Sequence, residues 1–429
     1  MKVHLVSKIG DQRGSHNSID LSQIAASGGA GDIYLCEEDQ EILVKVYRSE
    51  SDRSLYEEKV ISMVERPPIL PDLEVSKKKF PQVTWPRKIA ISPAGDFLGF
   101  SMTKMDLNEC VSLERFLQRR MRQHEGLPEF YGHRISIAHN LAVLVDALHA
   151  KGHHVIDLKP QNCFVHRSKL FVSILDSDGM SISGGESLRY PATQYTEEYI
   201  APESMKKRPS ELARKQDLFA LAVIIFRLLN NGIHPFQSGA RGPAKTIHQM
   251  VERKRYAYGL DGPGALIPNG QSIHEYFPND IRESFDKAFR SSRHRPEASE
   301  WRSLLQGIIK DTSGAVSRCD QFPEEHLDLG LGCGMCRVQA RSRRPVKTQT
   351  SKRNFLTARA GTPKSRAAAY KGAPSTAANV TRPSIKNGHS LRDAEKEVAK
   401  KFPLTMKIGF IMSVIVPFLV IFSRALNAY

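Results

Sequence analysis

At 429 residues and 40% apolar content, the chain is too long for one compact domain and rich enough for a sizeable core, so two or three folded units are expected. Its net charge of +16 resembles a nucleic-acid signal only until it is located. Residues 337–406 hold 17 Lys/Arg against three acids, Lys407 and Arg424 add two more, and residues 1–336 net to zero. The six cysteines are Cys36, Cys110 and Cys163, scattered singly, and Cys319, Cys333 and Cys336, clustered; this is no disulfide framework and points to a reducing compartment.

Residues 1–12 contain no long apolar run, so no secretory signal is visible. Residues 1–106 alternate short apolar runs with turns and are predicted to be mostly strand, as around Ile33–Cys36 and Ile42–Tyr47. One helix is predicted over about Ser51–Arg66, where Leu55, Val60, Ile61 and Val64 recur at near-helical spacing. Pro67, Pro68 and Pro71 stop it. From about Leu107 the pattern turns helical. Ile135–Ala150 places Ile135, Ala138, Leu141, Ala142, Val145 and Leu148 on one face, and Asp217–Asn230 is apolar enough to be a buried helix. A strand-rich small region before a helix-rich large one is the pattern of an α+β, two-lobed protein. Residues 337–403, rich in Arg, Lys, Ser, Thr, Ala and Pro, are expected to be a disordered linker.

Two features carry chemistry. Gly28-Gly29-Ala30-Gly31-Asp32-Ile33 lies between predicted strands, upstream of Lys45 in an apolar strand. A Gly-rich hairpin lets backbone N–H groups approach phosphate, and a lysine in an apolar strand is costly unless it meets an anion. By itself such a turn is more often only a turn, and the first glycine of a Gly-x-Gly-x-x-Gly-x-Val pattern falls at Ala26. The second feature is Asp157-Leu158-Lys159-Pro160-Gln161-Asn162, shortly after the helix at Ile135–Ala150.

That hexapeptide resembles the catalytic loop of the eukaryotic-like Ser/Thr protein kinases of bacteria. The resemblance continues in chain order over roughly residues 20–310. Asp176-Ser177-Asp178-Gly179 stands where kinases carry Asp-Phe-Gly, and Ala201-Pro202-Glu203 where they carry Ala-Pro-Glu. The aspartate of the next buried helix falls at Asp217, and Arg295 resembles the arginine that pairs with the Glu.

The resemblance implies a bilobal protein kinase domain over 1–312, with an N-lobe of about 1–106 and a C-lobe of about 107–312. It implies ATP and Mg2+ as cofactors and a protein Ser or Thr as acceptor. Gly28, Gly29, Gly31 and Ile33 would cover the ATP phosphates. Lys45 would hold the α/β-phosphates, oriented by Glu58 or, alternatively, Glu57. Asp157 would take or orient the substrate hydroxyl proton, Lys159 would contact the γ-phosphate, and Asn162 with Asp176 would bind Mg2+. Asp178, directly before the glycine, is the other choice for the metal.

Two departures stand out. Val155 and Ile156 replace the His-Arg before the catalytic aspartate, so the arginine that grips a phosphorylated loop is missing. The Phe of Asp-Phe-Gly is missing too, which resembles a branch with an Asp-x-Asp motif. The alternative is a pseudokinase kept for binding; such proteins usually lose the lysine or one of the two aspartates, and all three types are present here.

Cys333-Gly334-Met335-Cys336 has the Cys-x2-Cys spacing of zinc knuckles, and Cys319 and His326 would complete a Cys3His site for structural Zn2+ over 313–336. Free thiols or a redox pair are the alternatives. Ile408–Phe422 is a 15-residue uncharged run. It spans only about 22 Å as a helix against about 30 Å of hydrocarbon. With its flanks it predicts a transmembrane anchor over 404–425, the alternative being a helix docked on the kinase core. The basic tail before it would stay on the cytoplasmic side and the kinase would face the cytoplasm. Up to Phe402 that tail holds only Phe355 and Tyr370 as aromatics, so no specific nucleic acid is expected.

Overall fold

Alternation of apolar residues at the start of the chain produces six strands that close on one another. In the computed structural model these are β1 (Lys2–Val6), β2 (Ser18–Ser27), β3 (Gly31–Cys36), β4 (Ile42–Tyr47), β7 (Lys88–Ile91) and β8 (Phe97–Thr103). They form an antiparallel barrel in the order β1-β2-β3-β4-β8-β7. The structure describes residues 1–9, 18–71, 73–238, 246–262, 264 and 266–343, which belong to one unit, Met1–Pro345. Helix α1 (Glu50–Glu65) and a small hairpin, β5 (Glu74–Val75) with β6 (Lys78–Lys79), interrupt the barrel strands.

One apolar set of the barrel gathers Val3, Leu21, Val44, Val46, Ala90 and Leu98. A second joins Tyr47, Ile89, Phe100 and Met102 to Tyr56 and Val60 of α1, and so fixes which face of the helix looks inward. Ser49 caps α1 by accepting from the Asp52 N–H, and the prolines at 67 and 68 prevent its continuation. Close strand crossing demands glycine at two places. A Cβ on Gly99 would strike the Lys45 carbonyl oxygen, and one on Gly31 that of Val46.

The second lobe begins with β9 (Cys110–Ser112), α2 (Glu114–Leu117), α3 (Arg119–His124) and α4 (Tyr131–Ala150). Strands β10 (Cys163–His166) and β11 (Val172–Ile174) join β9 in a sheet of order β11-β10-β9. The hairpin β12 (Ile182–Gly185) and β13 (Leu188–Tyr190) follows, then α5 (Arg214–Leu229), α6 (Ile247–Glu252), α7 (Asn279–Arg290) and α8 (Ala298–Ile309). Helix α5 is buried from Gln216 through Phe226, as its apolar run predicts, and is the axis of the large core. The passage 82–85 crosses from the barrel to β11: Val83 pairs with Ile174 in parallel, and the Ser177 hydroxyl donates to the Thr84 carbonyl at 2.7 Å.

Past α8 the chain does not leave the lobe. The hairpin β14 (Ser317–Arg318) and β15 (Leu327–Asp328) and helix α9 (Gly334–Arg343) pack on it, with Leu329 and Val338 inside the main core. Residues 337–343 are therefore helical, which corrects the expected start of a disordered linker at 337. The apolar faces of Val338 and Met335 against the lobe supply burial that composition does not reveal. The rest of that linker and the expected anchor over 404–425 lie outside the described residues. Among the described residues no helix is long and apolar enough to cross a membrane.

Candidate active site

The loop after α4 is held in an unfavourable conformation by one buried carboxylate. Ile156 has φ of 62°, in the left-handed region that a β-branched residue avoids. Asp217 of α5, fully buried, accepts the N–H of Val155 at 2.7 Å and of Ile156 at 2.6 Å, and lies 2.9 Å from His149 Nε2. Such over-determination is what lets a strained residue persist. The Ile156 side chain packs with Ala192, Ile200 and Leu212.

The strained turn presents Asp157, Lys159 and Asn162 together. Asp157 Oδ1 accepts from the Thr196 hydroxyl at 2.7 Å, and its Oδ2 lies 2.8 Å from Lys159 Nζ. Lys159 also donates to Thr196 Oγ1 at 2.9 Å. The Asn162 amide donates to the Asp157 carbonyl at 3.1 Å and to Oδ2 at 3.3 Å, which leaves its own oxygen for a cation.

Lys45 enters from β4 of the barrel. Its ammonium lies 2.8 Å from both oxygens of Asp178 and 3.2 Å from Asp176 Oδ1. Burial alone would push Lys45 down, but the Asp178 and Asp176 carboxylates override it and its pKa lies above the ordinary value. Tyr47 donates to Asp178 Oδ2 at 2.8 Å; burial, then the Asp178 charge, raise its pKa and keep it a phenol. Asp176 sits at φ 58°, ψ 45°, a conformation Asp tolerates, with its side chain 38% exposed and Oδ2 accepting from Gln194 at 3.1 Å. Asp178 is 2% exposed. Of the two aspartates, Asp176 is the one whose carboxylate is open to a cation.

The expected partner of Lys45 needs correction. Glu58 is exposed and Glu57 half-buried, while Tyr56, Lys59, Val60 and Met63 occupy the inner face of α1. Lys59 donates to the Pro191 carbonyl at 3.0 Å. The reason is helical phase: the stacking of Tyr56 on Tyr47, 4.6 Å and 2° between planes, turns both glutamates away.

At the hairpin, Gly28 N–H donates to the Gly31 carbonyl at 2.9 Å, and Arg48 joins Asp32 to the Gly29 carbonyl. Gly31 is required by its closeness to β4, whereas a Cβ on Gly29 would meet open space, the room a phosphate needs. Ile33 pairs with Lys45 across β3 and β4. Three contributors escaped the sequence reading: Thr196, Gln194 and Tyr47. The sole signal for the first two is a run of hydroxyl and amide residues, Thr193 to Thr196, between the Asp-x-Asp-Gly and Ala-Pro-Glu motifs. Downstream, Arg295 holds Glu203 through both carboxylate oxygens, as the motif order implies.

Residues 94–312, just over half of the chain, match the protein kinase domain model. The chain belongs to the protein kinase family. The match begins within the small lobe, so Lys45 and α1 of this kinase lie outside it. Protein kinase YegI of Escherichia coli (strain K12) is 25% identical over 320 residues, covering 72% of this chain and 47% of the relative. The serine/threonine-protein kinase PknH of Mycobacterium tuberculosis (strain ATCC 25618 / H37Rv) is 24% identical over 255 residues, covering 57% of this chain and 36% of the relative. The chain thus spans less than half the length of these curated relatives.

A second cluster lies at the end of the kinase unit. The ligand atoms of Cys319, His326, Cys333 and Cys336 all lie within 4.8 Å of one another. Cys319 Sγ is 3.4 Å from Cys336 Sγ, and His326 Nδ1 is 3.4 Å from Cys336 Sγ and 3.6 Å from Cys333 Sγ. Tetrahedral Zn2+ needs such donors about 3.5–3.8 Å apart, so the set fits the metal.

Proposed function

We propose that this kinase transfers the γ-phosphate of ATP to Ser or Thr hydroxyls of proteins, with a structural zinc site and a C-terminal membrane tether. The observation that carries the reading is the constellation of Asp157, Lys159, Thr196 and Asn162, joined by the Leu175 N–H on the Asn162 carbonyl to the strand end that carries Asp176 and its partner Lys45. In-line transfer needs positioning and charge neutralisation rather than covalent chemistry from the protein. Lys45 holds the α/β-phosphates. Asp157 orients the acceptor hydroxyl and receives its proton, while Lys159 steadies the γ-phosphate. Asn162 and Asp176 are the residues that would hold Mg2+, which neutralises phosphate charge when bound. Lysine at 159, bridged to Thr196, favours a Ser/Thr acceptor.

The segment between the motifs is held without a phosphate. Lys59 grips the Pro191 carbonyl, Gln194 bonds Asp176, and Ile156 packs where the resemblance calls for arginine. Loop phosphorylation is therefore not the on-switch in this reading.

One observation favours a pseudokinase instead: both oxygens of Asp157 are already engaged. The experiment that separates the two uses a chain ending after Pro345, with Asp157→Ala and Asp176→Ala. Phosphate incorporation into itself or a basic protein, lost in both variants, supports the kinase. Mg2+-dependent ATP binding without incorporation would favour the pseudokinase.

A further inference from the structure

We infer that Asp178, two residues past the metal aspartate, is the positioning residue for Lys45, a task that α1 has given up. The inference rests on the kinase reading and deepens it. Both carboxylate oxygens of Asp178 lie 2.8 Å from Lys45 Nζ, a two-point grip that Asp176, at 3.2 Å through one oxygen, does not make. Asp178 is itself fixed from other sides. Tyr47 donates to it, and the neighbouring Ser177 is tied to the Thr84 carbonyl. Its burial removes it from competition for a cation, which a half-exposed Asp176 can take.

The helix confirms the exchange by its own charges. The inner face of α1 carries a cation, Lys59, near Asp176 and Asp178, and no carboxylate. Lys45, Lys59 and Asp178 are buried, and with the half-exposed Asp176 they make a group of two cations and two anions. A carboxylate on the helix is not needed to neutralise it.

The consequence is mechanical. Where a helix supplies the anchor, shifting the helix unpairs the lysine. Here α1 meets the Lys45 assembly through the ring stack of Tyr56 on Tyr47 and the nearby Lys59, while the carboxylates that pair with Lys45 come from the loop that carries Asp176. Lysine and metal aspartate are thus paired by one loop, and α1 contributes no carboxylate to the grip.

The test uses the full chain and compares Asp178→Asn, Asp178→Gly, Asp176→Asn, Glu58→Ala and the transplant Asp178→Gly/Lys59→Glu. Readouts are kcat and KM for ATP, Mg2+ half-saturation, binding of a fluorescent ATP analogue, and the circular-dichroism melt. Asp178→Asn is expected to lower kcat/KM for ATP about 100-fold, largely through KM, because the lysine loses its position. Its Mg2+ half-saturation stays within twofold of wild type, and Glu58→Ala behaves as wild type. The transplant returns a carboxylate to the helix and recovers about tenfold over Asp178→Gly alone; this arm reads the idea even where a single variant melts early. An unchanged KM for ATP in Asp178→Asn, a raised KM in Glu58→Ala, or a shift in Mg2+ half-saturation like that of Asp176→Asn would each overturn it. A wild type that binds ATP without transferring phosphate sinks only the kinase reading, since weakened analogue binding in Asp178→Asn still supports the anchor and unchanged binding still refutes it.

Discussion

Lys59 is 3% exposed, and burial lowers its pKa to about 8 from an ordinary 10.5, against the opposing pull of Asp178 and Asp176. Below pH 8 the lysine is charged in both folded and unfolded chains, so the full burial penalty is present. Between about 8 and 10.5 the folded form sheds its proton first, and stability contributed by this group rises with pH. The shift corresponds to about 3 kcal/mol, of which the hydrogen bond to Pro191 returns about 1. Lys59→Met is therefore expected to raise stability at pH 7 by about 2 kcal/mol, with the gain shrinking as pH approaches 10. Urea unfolding of both proteins at pH 7 and 9.5 measures this; a gain that does not depend on pH would refute the titration argument. The same neighbourhood marks the limit of residue-level reading. That Asp157, Lys159 and Asn162 share one turn is legible because they fall within six residues. The partner of Lys45 is not, because Glu57, Glu58 and Asp178 are equally acidic in the sequence, and only the helical phase set by Tyr56 decides among them.

Among elements, α1, α4 and α5 are legible within a few residues because each pairs a periodic apolar face with a stop signal. Barrel closure is not, since the pairing of β1 with β7 joins residues more than 80 positions apart and leaves no local mark. Helix α9 is hidden for another reason. Its sequence is basic and its stability comes from what it touches: Gly334 sits against Ile273 and Tyr276, and Val338 lies inside the main core. Cys319, His326, Cys333 and Cys336 lie beside β14, β15 and the start of α9, so the proposed metal would tie these three elements to one another. Purified protein is expected to contain one zinc per chain, and chelation to lower the melting temperature by several degrees. Cys336→Ser should reproduce that loss and abolish the chelator effect. A metal-free protein whose melting temperature ignores chelator would rule the site out as a structural staple.

At the scale of the whole chain, charge and apolarity are segregated: residues 1–336 net to zero, while the basic tail precedes a 15-residue uncharged run. A neutral kinase unit has little electrostatic reason to seek an anionic bilayer, so attachment would have to come from the tail. Two modes are physically distinct. Insertion of Ile408–Phe422 buries apolar side chains and resists salt, with Lys407 and Arg424 snorkelling at either end. Binding by the basic residues alone contributes about 1 kcal/mol per charge near the surface and decays within a Debye length, so it fails at high salt. The full chain is expected to float with vesicles of anionic lipid and to remain there in 1 M salt and in alkaline carbonate. A chain ending after Pro345 is expected to stay at the bottom of the gradient. Replacing Val414 and Val416 by Asp should release the full chain, since a charge near the bilayer centre costs about 3 kcal/mol each. Release of the unaltered chain by salt alone would reassign the attachment to the basic residues and remove the transmembrane anchor.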